Sequence, residues 1–176
     1  MSTLIINKND LRHNINIIKK QVDIDDFTFI GVVKGNGYGL GLEEYSNFLV
    51  ENGITILATA TTKEALDLRK INKNIDIFYM SATCIKEEVM QLVDNNIIIT
   101  IGSKECGEIV NEIAGTGKAV RAHIKIDTGF GRYGFVSEEK DIIVKSIKNL
   151  NKNVKLEGIF THFSLAYYNN NKECFV

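Results

Sequence analysis

The feature that most restricts this chain is an alternation. Six short apolar runs, at residues 27–33, 54–60, 75–80, 97–101, 120–127 and 154–160, are rich in Ile, Val and Phe. Segments with apolar residues at helical spacing lie between them, as in Leu11, Ile15, Ile18 and Val22 before the first run. Parallel neighbours need a long crossover, usually a helix, so β-α repetition predicts a parallel α/β sheet. Either a barrel or a doubly wound sheet satisfies that pattern. The run at 97–101 is continuously β-branched, which predicts burial on both faces.

Helix signals punctuate the alternation. Asn9 or Asp10 is expected to cap the first helix, Thr61-x-x-Glu64 reads as a capping box, and Ser103 and Ser137 are expected to cap later helices. Asn52-Gly53 and Gly115-Thr116-Gly117 read as helix ends. With 176 residues, 44% of them hydrophobic, the chain is expected to form one domain. A net charge of −1 argues against a polybasic nucleic-acid or membrane binder. The first residues lack a signal peptide's apolar core, and no run is long and apolar enough to span a bilayer. Cys84, Cys106 and Cys174 follow no C-x-x-C pattern and read as reduced, buried thiols of a cytoplasmic protein.

The unusual polar residues all follow strands. Lys34 closes the first run and is followed by Gly35, Gly37, Gly39 and Gly41, with Asn36 and Tyr38 between. Alternate glycines permit positive φ and close backbone approach to a ligand. The order fits neither a P-loop, where the lysine comes after the glycines, nor G-x-G-x-x-G, since the last position falls on Leu40. An ammonium at a buried strand end either snorkels to solvent or is used by something. Asp127-Thr-Gly-Phe-Gly-Arg132 follows the fifth run, and Thr161-His162 the sixth. In a parallel sheet all these groups share the C-terminal edge, where barrel enzymes place their chemistry.

Three of these segments carry a resemblance. Val32-Val33-Lys34-Gly35-Asn36-Gly37-Tyr38-Gly39-Leu40-Gly41 resembles the cofactor-lysine motif of alanine racemases, usually V-V-K-A-N-A-Y-G-H-G. The segment from His123 to Phe135 resembles that family's arginine-bearing loop, and Glu157-Gly-Ile-Phe-Thr-His162-Phe its ring-packing histidine segment. The resemblance covers essentially the whole chain. It departs at Gly35 and Gly37, where alanines are usual, and at Leu40, where histidine is usual. The two glycines are expected to loosen the loop while leaving Lys34 and Tyr38 in place.

The resemblance implies a pyridoxal-phosphate enzyme on a (β/α)8 barrel. Lys34 would bond covalently to the cofactor aldehyde and, once displaced, act as one of two Cα bases. Tyr38 would hydrogen-bond the cofactor phosphate. Arg132 would hold the phenolic oxygen and approach the substrate carboxylate, and His162 would pack against the ring. Lys125 sits where the family can carry a carbamylated lysine, the alternative being an ordinary inward lysine paired with a carboxylate. His123 and Asp127 are expected to be structural. The substrate implied is alanine, supplying D-alanine for peptidoglycan, with serine or another amino acid as an alternative. A non-catalytic pyridoxal-phosphate-binding barrel protein is a further alternative.

The family is homodimeric, and its second proton donor is a tyrosine from the C-terminal β domain of the partner subunit. Residues 1–176 are therefore expected to be an incomplete TIM-type barrel of about six of the eight βα units, without that β domain. Such a piece is expected not to racemise alanine alone.

Overall fold

The computed structural model describes residues 4–21 and 27–164. Its elements run α1 (Lys8–Gln21), β1 (Ile30–Val32), α2 (Lys34–Tyr38), α3 (Leu42–Glu51), β2 (Ile56–Thr59), α4 (Thr62–Ile71) and β3 (Asp76–Ala82). They continue α5 (Lys86–Asp94), β4 (Ile98–Ile101), α6 (Lys104–Gly115), β5 (Val120–Asp127), β6 (Phe135–Val136), α7 (Lys140–Lys148) and β7 (Val154–Phe160).

Every pairing is parallel, in the order β1-β2-β3-β4-β5, with both the two-residue β6 and the long β7 beside β5. A doubly wound sheet reverses its strand order at a switch point. Here each long strand lies next to its predecessor, so the sheet is part of a TIM-type barrel.

The two faces of the sheet bury different things. Toward the helices, Leu57, Leu68, Ile77, Leu92, Ile99 and Ile124 form the main core. Toward the barrel axis, Ala58, Phe78 and Ile98 form a smaller cluster with Val32, Met80 and Phe160 against it. β4 has no exposed residue because both faces are covered. Alternate residues of β5, namely Arg121, His123 and Lys125, point inward, while Val120, Ala122 and Ile124 join the outer core.

Arg121 ties three strands together across the inside of the curve. Its guanidinium makes two bidentate pairs, with Asp76 of β3 at 2.6 and 3.0 Å and with Glu157 of β7 at 2.9 and 3.0 Å. Asp76 and Arg121 lie on strands separated by β4, so the bridge spans the inner face over that strand.

Local chemistry explains most element ends. Thr61 Oγ1 accepts from Glu64 N–H and Ser103 Oγ from Cys106 N–H, so both caps hold as expected. Two other caps do not. α1 starts earlier than expected and is capped by Asn7, whose Oδ1 accepts from Asn9 N–H at 2.9 Å. Ser137 donates to Glu138 instead, and α7 follows Glu139 with no side-chain cap. The first strand is shorter than the apolar run, because 27–29 are not paired. Val22 and the segment 165–176, with Cys174, lie outside the described residues.

The reduced-thiol expectation is corrected at two of the three cysteines. Cys84, exposed after β3, and Cys106, buried in the first turn of α6, are paired as a disulfide with Cα atoms 4.9 Å apart. Residues 22 apart in sequence meet because β3 and β4 are neighbours, which no spacing rule reveals.

Replacing Arg121 by Met should lower stability by about 2 kcal/mol in urea unfolding, since Asp76 would lose its bidentate partner and the half-buried Glu157 would keep only the exposed Lys155. The Arg121 hydrogen bonds hold Asp76 and Glu157 below their ordinary carboxylate values of 3.8 and 4.5. A depressed folded-state pKa gives stability that is fully present above the unfolded value and is lost as pH falls through the folded one. Wild type should therefore lose stability below about pH 4.5 more steeply than Arg121→Met.

Candidate active site at the C-terminal rim

The first rim element is α2, and its hand is unusual. Gly35, Asn36, Gly37 and Tyr38 have φ of 63°, 54°, 63° and 55°, so the chain makes a left-handed turn directly after Lys34. An L-residue in that conformation costs roughly 1–2 kcal/mol, whereas glycine adopts it freely. Gly35 and Gly37 thus relieve a conformation the turn requires, which corrects the expectation that they merely loosen it. The turn closes through Gly37 N–H to Val33 O at 2.8 Å and Gly41 N–H to Asn36 O at 3.0 Å. It leaves Lys34 half-exposed at the strand end and Tyr38 63% exposed, so Tyr38 is not a core residue.

The second rim element is the loop after β5. Asp127 accepts from Gly129, Phe130 and Gly131 N–H at 2.9–3.2 Å, folding the loop over itself. Those backbone donors, Gly131 first, hold its carboxyl below the usual range. Gly134, at φ 125°, passes so close to Lys125 and Asp127 that an added Cβ would come within 2.9 Å of Lys125 Cγ. Tyr133 donates its hydroxyl to Met80 O of β3. The loop is thereby anchored across the rim, and Arg132 projects from it over the rings of Phe130 at 4.8 Å and Tyr133 at 5.5 Å.

The third element follows β7. His162 is exposed and meets Phe130 edge-on, with ring centroids 4.5 Å apart. Thr161 and Thr128 share a hydrogen bond at 2.7 Å, joining the two loops below these rings. Arg132 and His162 are thus brought together through Phe130, a residue the sequence reading did not single out. No hydrogen bond or ion pair joins Lys34 or Tyr38 to them among the described residues; what they share is the rim.

Lys125 lies under this loop and is 2% exposed. Its ammonium donates to Ile126 O at 2.7 Å and sits 5.4 Å from the Tyr133 ring and 5.8 Å from the Phe160 ring. Burial pushes its pKa down, opposed by the Asp127 charge and assisted by that of Arg132. It is inward, but among the described residues it has no carboxylate partner. His123 packs on Phe78 at 4.7 Å within the barrel, and burial lowers its pKa as well. It is a structural residue.

The electrostatic balance of the rim is one-sided. Among the described residues, neither Lys34 nor Arg132 has a carboxylate partner, and Asp127 is spent on backbone N–H groups. Two uncompensated cations on one edge suit a ligand with anionic groups, and a phosphate ester or carboxylate qualifies.

Comparison with known proteins places these features in company. The pattern of the family described as alanine racemase, N-terminal domain, matches residues 6–174. An alanine racemase of Methanococcus maripaludis is 39% identical over 139 residues, covering 78% of this chain and 37% of the relative. Alanine racemase 2 of Caldanaerobacter subterraneus is 35% identical, covering 92% of this chain and 41% of its own length. The chain therefore spans about two fifths of the curated relatives it matches. Among solved structures, alanine racemase of Clostridium difficile superposes with a TM-score of 0.79 at 34% identity, over 88% of this chain and 40% of that one. A histidine racemase of Leuconostoc mesenteroides gives 0.84 at 26% identity, over 93% and 44%.

Gly35→Ala should cost about 1 kcal/mol in urea unfolding, the left-handed penalty less the unfolded-state entropy gained. Gly37→Ala should cost more, because its Cβ would lie 3.2 Å from Tyr45 Cβ whereas that of Gly35 meets nothing.

Proposed function

Because the chain belongs to the alanine racemase family, whose N-terminal domain it matches over residues 6–174, we propose that it is the pyridoxal-phosphate-binding barrel of an amino-acid racemase acting on alanine. The observation that carries this reading is the pair of cations without a carboxylate partner among the described residues, Lys34 and Arg132, delivered to one rim by the ends of β1 and β5. The donor set fits the cofactor: an amine for its aldehyde, and a guanidinium and an exposed phenol for its anionic oxygens.

When bound, pyridoxal phosphate supplies an electron sink for negative charge developing at an amino acid's Cα. The chain's residues do the rest. Lys34 would hold the cofactor through its amine and would take or return the Cα proton on one face. Arg132 holds the ring oxygen and steers the substrate carboxylate through a fork of donors that stays charged. His162, held edge-on by Phe130, packs on the ring. Tyr38 hydrogen-bonds the phosphate.

Lys125 is proposed to be carbamylated. Its depressed basicity leaves more neutral amine to react with carbon dioxide, and the resulting anion would complement Arg132. The D-alanine formed would supply peptidoglycan, in a homodimer whose partner subunit provides the opposite proton donor. A cytoplasmic setting is part of the same reading.

A second reading keeps the chemistry and changes the substrate. It is supported by the fold match to a histidine racemase.

Incubating the chain with pyridoxal phosphate and borohydride should give one trapped adduct on Lys34, absent in Lys34→Ala. An adduct spread over surface lysines, unaffected by that substitution, would overturn the assignment. Residues 1–176 should trap the cofactor without converting L-alanine to D-alanine, as read by chiral chromatography. Labelled bicarbonate should give a carbamate carbon signal that disappears in Lys125→Met.

A further inference from the structure

We propose that Glu64, in the first turn of α4, is a positioning residue that holds the left-handed turn carrying Lys34 and Tyr38. The chemical consequence rests on the reading of Lys34 as the cofactor lysine; the mechanical claim does not.

The turn is intrinsically unfavourable at two of its residues. Asn36 and Tyr38 are not glycines, yet both sit at left-handed φ. Such backbone persists only where its surroundings over-determine it. Asn36 is fixed from two sides. Its side-chain Oδ1 accepts from Leu42 N–H at 2.9 Å, satisfying a donor that the first turn of α3 leaves open. Its own N–H donates to Glu64 Oε1 at 3.1 Å. This second bond comes from a different βα unit and joins the turn to the helix that packs behind β2 and β3.

Glu64 is itself held at its other oxygen. Oε2 accepts from the Thr61 hydroxyl at 3.1 Å, while Thr61 Oγ1 accepts from Glu64 N–H at 3.2 Å. In a capping box the third-position carboxylate reaches back to the cap residue's own N–H. Here it reaches outward to Asn36. The adjacent Ala65, and Leu68 one turn on, are fully buried, so the helix presenting the carboxylate is fixed in the core. Lys63, the neighbouring cation, pairs with Asp67. The Glu64 carboxylate is therefore not claimed by it, and the rigidity of α4 passes to the turn at Asn36.

The test separates this role from helix capping. Glu64→Asp keeps a carboxylate at the α4 N-terminus but is one methylene too short to reach Asn36; Glu64→Gln keeps the reach and an oxygen acceptor. Thr61→Ala removes the cap and the hydroxyl on Oε2, but leaves the Oε1 contact with Asn36. Two readouts are taken on the chain: amide hydrogen exchange at Asn36, Gly37 and Gly39, and the pyridoxal phosphate concentration giving half-maximal borohydride-trapped adduct on Lys34. Glu64→Asp should speed exchange in the turn and raise the half-maximal concentration about tenfold, the order expected for losing one charge-assisted hydrogen bond. Glu64→Gln should recover most of both. Thr61→Ala should lower Tm with a clearly smaller effect on both than Glu64→Asp, because Oε1 keeps its bond to Asn36.

Unchanged exchange in Glu64→Asp, or equal effects of Glu64→Asp and Thr61→Ala, would overturn the proposal and leave Glu64 a helix cap. If wild type traps no adduct on Lys34 while turn exchange still responds to Glu64→Asp, the cofactor reading fails and the mechanical role stands.

Discussion

The inner face of the sheet is tied together by one guanidinium. Arg121 reaches over β4 to Asp76 and, on its other side, to Glu157. Three strands are thereby held together across the inner face. Desolvating such a cluster is expensive, and a packed apolar substitute could be as stable. What the ions contribute is geometry, because a bidentate fork tolerates little rotation. Above that floor the barrel axis fills with Phe78, His123 and Phe160, and above them comes the buried Lys125. The order from floor to rim runs from paired charge, through aromatic packing, to cations without carboxylate partners.

That order explains why the rim loops are tied so closely. Arg132 belongs to a loop rich in glycine that would wander on its own. Asp127 gathers its N–H groups, Tyr133 fastens it to β3, and the Thr128–Thr161 bond joins it to the segment bearing His162. Each tie is made by a side chain without a place in the proposed chemistry. Arg69 does similar service at the opposite end of the helices, where it donates to carbonyls at Asn72, Lys73, Ile75, Asn95 and Asn96.

Local features were legible in the sequence and long-range ones were not. The run 97–101 announced burial on both faces because β-branched residues follow one another there, and Thr61 and Ser103 announced helix starts because a cap acts within one turn. The alternating glycines announced positive φ, but not that Asn36 and Tyr38 would share it; at Asn36 that rests on bonds from α3 and α4. Ser137 looked like a cap and is not one, because the short β6 occupies the chain just before it. The Cys84–Cys106 pairing, the Arg121 bridge and the Phe130 platform all depend on which strands are neighbours. Periodicity is silent about that; the resemblance to a barrel family supplied the expectation of a barrel, and the strand order shows one.

The strand order has a further consequence for how such a sheet is built. Each long strand finds its partner one βα unit back along the chain: Ile56 meets Ile30, Asp76 meets Ile56, Ile98 meets Phe78 and Val154 meets Val120. Among the described residues no pairing of the long strands waits for a distant segment, so loop-closure entropy is met in small instalments. A nascent chain leaving the ribosome can therefore zip its sheet from the amino end, each βα unit templating the next. The cross-links inside the curve, Arg121 to Glu157 among them, become available only once β7 has arrived, and they tighten a sheet already laid down in sequence.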